Sequence, residues 1–260
     1  MLIEINSITS WLTDIFEQAG CPSDEARLIA VHLVDADASG HPSHGIVRVP
    51  RYIDYIKEGT VRPVCGYETL VEAGNLRLID GLFSFGQVLG HEVVRLAEEL
   101  CRDTGLGIIG LRNAGHLGRI GGWAELLADK GLVSVHFVTV AGSRIVAPFG
   151  GKQARISTAP VAIGVPHQTD HNGSEHFILD FATSRVAEGK ILVSQKTGYA
   201  LPTDAMVDGQ VRIRRYLRPF MGQPQQEMFQ IRGRETGPYK PLVSIKGLGL
   251  VWPVSFLPAR

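Results

Sequence analysis

The sequence predicts an α/β protein with helices layered on a sheet that is at least partly parallel. Strand and helix patterns alternate through the middle of the chain, and the first 60 residues read as helices alone. The 260 residues, 44% hydrophobic and 20% charged, suffice for one large domain or two small ones, with a core stable without disulfides.

Ser7 is placed to cap a first helix that runs to about Gln18, with Gly20 as its stop. Ser23 is placed to cap a second, SDEARLIAVHLVDADA, which carries acids in its first turn and Gly40 after its end. A third fits IVRVPRYIDYIKEG, with a start left open by Pro50, which is tolerated in a first turn and kinks a helix later. Two short strands follow, YETLVEA and LRLID, and then the long helix GQVLGHEVVRLAEELCRDTG. Strand GIIGLRNA, helix GRIGGWAELLADKG and strand LVSVHFVTV continue the alternation. Further strands are expected at RISTAPVAIGV and EHFILDF, and a helix at SRVAEGKILVSQK.

Several classes are disfavoured. Cys21, Cys65 and Cys101 are widely spaced and form no CxxC pair, so reduced cytosolic thiols are the simplest reading. The N-terminus shows no basic segment before an apolar run, and no stretch approaches the length of a membrane span; a cytoplasmic protein is expected. The net charge of zero gives no hint of nucleic acid. No G-x-S-x-G elbow is present, and His167, His171 and His176 lack the partners of a metal set, so no metal is expected.

Residues 105–110, GLGIIG, match the dinucleotide-binding G-x-G-x-x-G literally. That motif works when a strand enters it and a helix leaves it, so that phosphate sits on the helix N-terminus. Here a helix enters and a strand leaves, and Gly105 reads as a helix C-cap. A nicotinamide cofactor, if bound, is not held in the Rossmann manner.

Three segments can carry chemistry. In HPSHGIVRVPRY, His44, Arg48 and Tyr52 are spaced i, i+4, i+8 and share a face if the segment is helical. Arginine offers a fork that matches a carboxylate, and histidine exchanges a proton near neutral pH. The plainer alternative is a solvated helix face. In NAGHLGRIGGWAE, His116 lies between a strand end and a helix start, where α/β proteins bind ligands, and the helix N-terminus that follows is a natural anion site. The alternative is a surface turn with an incidental histidine. In LDFATSRVAEGK, Thr183 or Ser184 can serve as a helix cap with Glu188 in the first turn. Capping leaves Asp180, at the end of an apolar strand, unexplained.

SHGIVRVPRY, NAGHLGRIGGWAE, VAPFGGKQARISTAP and LDFATSRVAEGK together resemble, in order and spacing, the signatures of the type 2 malate/L-lactate dehydrogenase family over residues 5–209. GRIGGWAE and SVHFVTVAG stand nearest its hydroxycarboxylate dehydrogenase members. The resemblance implies a sulfolactate-dehydrogenase-like fold: a three-layer α/β/α arrangement on a mixed sheet, not Rossmann, usually a homodimer. It implies hydride transfer between NAD or NADP and a small 2-hydroxy or 2-oxo acid. His116 would move the proton, with His44 as the other candidate, and Arg48 and Tyr52 would face the substrate. Ser43, Leu117, Gly118, Arg119, Thr158, Pro160, Ile178, Leu179, Asp180, Phe181, Ala182 and Thr183 would lie by the cofactor. Ala159 departs from the family, which has Asn there in a Thr-Asn-Pro motif.

After about Asp208 the motif resemblance ends. Residues 210–260 hold nine basic and two acidic residues, whereas 17 of the 26 basic and 24 of the 26 acidic residues lie earlier. SIKGLGL is a faint echo of a His-Lys-Gly-Tyr-Gly-like family motif, with Ile245 in the His position. Either the segment is a basic arm for an acidic partner, or it results from reading-frame damage to a longer gene; the absence of helix or strand period favours the second and predicts a poorly packed segment. On that reading the product is an inactive remnant or a dimerising subunit as readily as an enzyme.

Overall fold

The computed structural model describes residues 3–64, 66–140, 143–149, 151, 153–167, 175–187, 190–191, 194, 198, 200–202, 206–207, 230–232 and 247–253. The chain forms two compact units. One is built from Met1–Phe137, Ala162–Asp180 and Ile245–Arg260, the other from Val138–Val161 and Phe181–Ser244.

In the first unit, α1 (Ile5–Gln18) and α2 (Ser23–Ala38) pack together. Their caps differ from expectation. Glu4 precedes α1 and accepts from Ser7 Oγ at 2.7 Å, so Ser7 lies inside the first turn. Pro22, with φ −59° and ψ 154°, precedes α2, and Ser23 is already helical. Leu12, Phe16, Ile29, Ala30 and Leu33 are buried at or near 0% exposure, which makes this pair a core element of its unit. The segment after α2 is not one helix. Two 3-10 turns, Pro42–His44 and Ile46–Arg48, lead into α3 (Val49–Lys57), which places Pro50 in a first turn where no N–H is needed.

Strands β1 (Glu68–Ala73) and β2 (Leu76–Asp80) form an antiparallel pair. Helix α4 (Gly86–Thr104) then crosses to β3 (Gly107–Arg112), which runs parallel to β2. Gly105 ends α4 in the left-handed conformation, φ 75°, and its N–H reaches Cys101 O at 2.9 Å. Gly105 is therefore a helix stop, and Gly107 and Gly110 belong to β3. Helix α5 (Ile120–Asp129) and strand β4 (Leu132–Val138) follow. Of RISTAPVAIGV only the end is a strand of this sheet, β6 (Val161–Val165); β7 (Phe177–Phe181) matches EHFILDF.

The segment from 210 onward was expected to lack regular structure. It instead contributes β10 (Gly247–Pro253), and the seven-stranded order is β1-β2-β3-β10-β4-β6-β7. β10 pairs antiparallel to β3, which makes the sheet mixed. An interior strand can be apolar throughout, and GLGLVWP has the composition of one, so an alternation search passes over it. The rest of the expectation for this segment lies outside the described residues, apart from the short strand Gln230–Arg232.

The second unit holds β5 (Val146–Ala147), β8 (Met206–Val207) and β9 (Gln230–Arg232) in the order β5-β9-β8. Ser184 does not cap a helix: residues 184–187 are not helical, and its hydroxyl donates to Val186 O at 2.8 Å. Most of the helix expected at 184–196 lies outside the described residues. Cys21 and Cys101 are buried, and burial pushes the Cys21 thiol up to about 12; Cys65 lies outside the described residues. No helix among the described residues is long and apolar enough to cross a membrane.

Candidate active site

The site forms where the parallel strands β2 and β3 end, the edge at which α/β sheets bind ligands. Asp80 closes β2. Its carboxylate accepts from Arg112 Nε at 2.8 Å, Asn113 Nδ2 at 2.9 Å and Leu82 N at 3.0 Å, which clamps both strand ends. Leu82 and Phe83, at φ 49° and 64°, hold a strained turn between β2 and α4, of the kind that persists only where surrounding bonds fix it. That turn delivers α4 against the backbone of the loop 113–119. A Cβ on Gly86 would come within 2.5 Å of the carbonyl carbon of His116, so helix and loop touch only because residue 86 is glycine.

The second wall is residues 41–52. Asp37 accepts from Ile46 N at 2.7 Å and fills the space beside Gly45 that a side chain would occupy. This folds the chain back at Gly45. Ser43 Oγ lies 3.0 Å from His44 Nδ1, and Arg48 Nε donates to Ser43 O at 2.6 Å. The continuous helix face expected for His44, Arg48 and Tyr52 is not present, because the 3-10 turns interrupt it. The three nevertheless converge, through tertiary packing.

His116 is their meeting point. Its ring stacks on His44 with centroids 5.5 Å apart and 15° between planes. Tyr52 Oη lies 2.7 Å from His116 Nδ1, and Gly118 N–H points at the same nitrogen from 3.3 Å. Tyr52 itself is buried among Phe16 and Phe85. Gln87, fully buried, donates to Tyr52 Oη at 3.0 Å and to His116 O at 3.2 Å. Sequence reading missed Gln87; a glutamine early in a helix looks like an ordinary solvated residue, and only the packing of α4 on the loop shows otherwise.

Burial lowers both site histidines. His44 falls to about 4, from burial first and then the Arg48 charge. His116 falls well below its ordinary value through burial, Arg48, His44 and His32. Both rings are neutral at pH 7. Among the described residues, neither the terminal nitrogens of Arg48 nor His116 Nε2 has a hydrogen-bond partner. A guanidinium fork beside a half-buried imidazole nitrogen fits a carboxylate with an oxygen on the next carbon.

The other expected residues divide. The Leu117 carbonyl accepts from Trp123 Nε1 at 2.9 Å. Gly118, at φ 74°, lets the backbone pass His32. Arg119 is not available to a ligand by its charge: it is 4% exposed and its guanidinium is paired with Asp35 at 2.8 Å and with Glu125. Asp180 caps α5, accepting from Gly121 N at 2.7 Å, so the helix N-terminus read as an anion site is already filled by the protein's own carboxylate. That explains the acid at the end of an apolar strand. Asp180 Oδ1 has no partner among the described residues. Ile178 is half-buried and Leu179 exposed on the same strand. In the second unit, Thr183 donates to Thr158 O through both N–H (3.0 Å) and hydroxyl (3.1 Å), and Pro160 O accepts from Val138 N; Phe181 and Ala182 are half-buried. Ala159 has φ 37°, a left-handed backbone that asparagine adopts more readily than alanine, which accounts for the family's preference there. His176 is tied to Asp129 at 2.9 Å.

Comparison with known proteins identifies the family. The profile of the malate/L-lactate dehydrogenase family matches residues 3–254. Hydroxycarboxylate dehydrogenase B of Escherichia coli K12 is 37% identical over 205 residues, which are 79% of this chain and 56% of that protein. The chain thus spans about half the length of several curated relatives it matches. The L-lactate dehydrogenase of Cupriavidus necator is 31% identical over 251 residues, 96% of this chain and 68% of that protein. The solved sulfolactate dehydrogenase of Methanocaldococcus jannaschii superposes with a TM-score of 0.76 at 25% identity, covering 96% of this chain and 77% of that one. Sequence match, mixed-sheet α/β fold and site together lead to one assignment: the chain belongs to the malate/L-lactate dehydrogenase family.

Proposed function

We propose that this chain binds a small 2-oxo or 2-hydroxy acid at Arg48, His44 and His116 and works as an NAD- or NADP-dependent oxidoreductase, as a homodimer. The observation that carries the reading is the juxtaposition of Arg48 with two stacked neutral histidines, one of them offering an unpartnered Nε2. Arg48 holds the substrate carboxylate. The oxygen on the adjacent carbon then faces His116 Nε2, which gives it a proton in reduction and takes one back in oxidation. The carboxylate offsets the Arg48 charge that lowers His116, so the acid raises the proton affinity of the ring as it binds.

The chain's donor set fits a nicotinamide. Asp180, held by Gly121 and with Oδ1 available, suits the carboxamide N–H, and the backbone of Leu117 and Gly118 supplies close approach. When bound, the nicotinamide supplies the hydride exchanged with the carbon bearing the substrate oxygen. The test is titration of the purified chain with NADH and NADPH by fluorescence, then a panel of 2-oxo acids. Binding of one dinucleotide and its oxidation by at least one acid are expected. Failure of both to bind, with protein shown to be folded, would sink the reading and leave a non-catalytic role.

A further inference from the structure

We infer that Gln87 is a positioning residue which, through Tyr52, fixes the hydrogen of neutral His116 on Nε2. The inference rests on the reading of His116 as the proton-transferring group.

The argument is an account of hydrogens. The His116 carbonyl can only accept, so the Gln87 atom 3.2 Å from it is the amide nitrogen, not the oxygen. The opposite orientation would set two oxygens against each other. The same nitrogen has a second hydrogen, and it points at Tyr52 Oη, 3.0 Å away. The phenol oxygen is therefore already an acceptor, and its own hydrogen needs somewhere to go. Among the described residues the remaining partner of Tyr52 Oη is His116 Nδ1 at 2.7 Å. Burial holds the phenol well above its usual range, so it keeps that hydrogen and donates it. Gly118 N–H, which can only donate, approaches Nδ1 from another side. Two donors on Nδ1 leave no room for a hydrogen there, and the neutral ring carries it on Nε2.

Nε2 is the nitrogen without a protein partner. With its hydrogen in place it donates to a carbonyl oxygen; in the other tautomer it would turn a lone pair on that oxygen. The free protein is thus arranged to receive the 2-oxo acid. The cost lies in Gln87 Oε1, which is buried with no partner among the described residues. An unsatisfied buried acceptor in a fully buried glutamine is poor for stability and calls for another reason to keep an amide here. A methionine of similar length would fill the space without that cost. Gln87 is also the only polar side chain among the described residues that joins α4 to both Tyr52 and the His116 loop.

The experiment is nitrogen-15 NMR of the histidine rings, with His116 assigned by its loss in His116→Gln. In the unchanged chain, the neutral ring should show the Nε2–H pattern; an Nδ1–H pattern overturns the inference without any mutant. Gln87→Met and Tyr52→Phe should each bring in a substantial Nδ1–H population. Where turnover with a 2-oxo acid is found, Gln87→Met should lower kcat about tenfold with KM within about threefold, the range of effects seen for residues that orient an active group. A lower melting temperature with tautomer and kcat unchanged would show that Gln87 only packs. The NMR result stands apart from catalysis: the Nε2–H pattern in a protein that turns over no acid would retain the tautomer and reject the function.

Discussion

Two clusters in the same unit contain nearly the same groups and differ in how completely those groups are paired. In one, His32 stacks on Trp123 at 4.6 Å, its Nε2 accepts from Arg119 N at 3.0 Å, and the Arg119 guanidinium is shared between Asp35 and Glu125. In the other, His44 stacks on His116 at 5.5 Å, and Arg48 spends only Nε on the backbone, bonding Ser43 O. Burial lowers His32 and His44 alike to about 4. A perturbed histidine beside an arginine is therefore no mark of chemistry by itself. What separates the two is the remainder: in the first the arginine's charge is neutralised by carboxylates, in the second, among the described residues, the charge and the Nε2 atoms of both imidazoles are left over. The first cluster holds the loop from behind; the second leaves groups open for a ligand.

The comparison breaks most visibly at the two histidines. His116→Ala should lower turnover about 10²–10⁴-fold with little change in dinucleotide affinity, because a proton donor acts in the transition state. His32→Gln, whose amide oxygen can still accept from Arg119 N, should leave kcat of the same order. Steady-state kinetics on folded variants decides; near-normal turnover in His116→Ala would pass the role to His44.

The arginines give a smaller contrast. Arg48→Ala should raise KM for the 2-oxo acid roughly 10–100-fold, the worth of a hydrogen-bonded charge contact, and Arg48→Lys should recover part, since a point charge lacks the fork. Arg119→Met should register in thermal unfolding instead, at about 1 kcal/mol, since the carboxylates it leaves unpaired, on Asp35 and Glu125, are partly exposed to water. An equal KM effect at both positions would erase the distinction.

The smallest effect is on acid stability. His32, His44 and His136 have folded values of about 4, below the ordinary 6.5. Between those limits the unfolded chain binds protons that the folded chain refuses, so stability falls as the pH drops from about 6.5 toward 4. Melting temperatures measured across that window should decline, and His32→Gln should flatten the decline by removing one of the lowered histidines. An unchanged slope would mean that His32 is not held neutral by burial.

Much of the framework was legible. The helices α1, α2, α4 and α5 and the strands β1 to β4 follow from apolar period, capping residues and glycine stops, and the order of helix before strand sufficed to reject GLGIIG as a phosphate loop. The starts of α1 and α2 lie three residues and one before the expected ones, because Glu4 and Pro22 stand at the cap positions in place of Ser7 and Ser23. β10 was missed because a strand that pairs between neighbours distant in sequence owes its existence to them.

By itself, the sequence determined which chemically able residues the chain carries and which segments hold them, since residue type and local period are properties of short windows. It placed His44, Arg48 and Tyr52 together for a helical reason that does not hold, and it gave no sign that Arg119 and Asp180 also bond within the protein. Tertiary structure alone decided which charges are cancelled internally. Arg119 meets Asp35 from 84 residues away, Asp180 meets Gly121 across 59, and Tyr52 meets His116 across 64. Pairing over such separations depends on how strands and helices pack, and packing is a cooperative property of the folded chain that no local window contains.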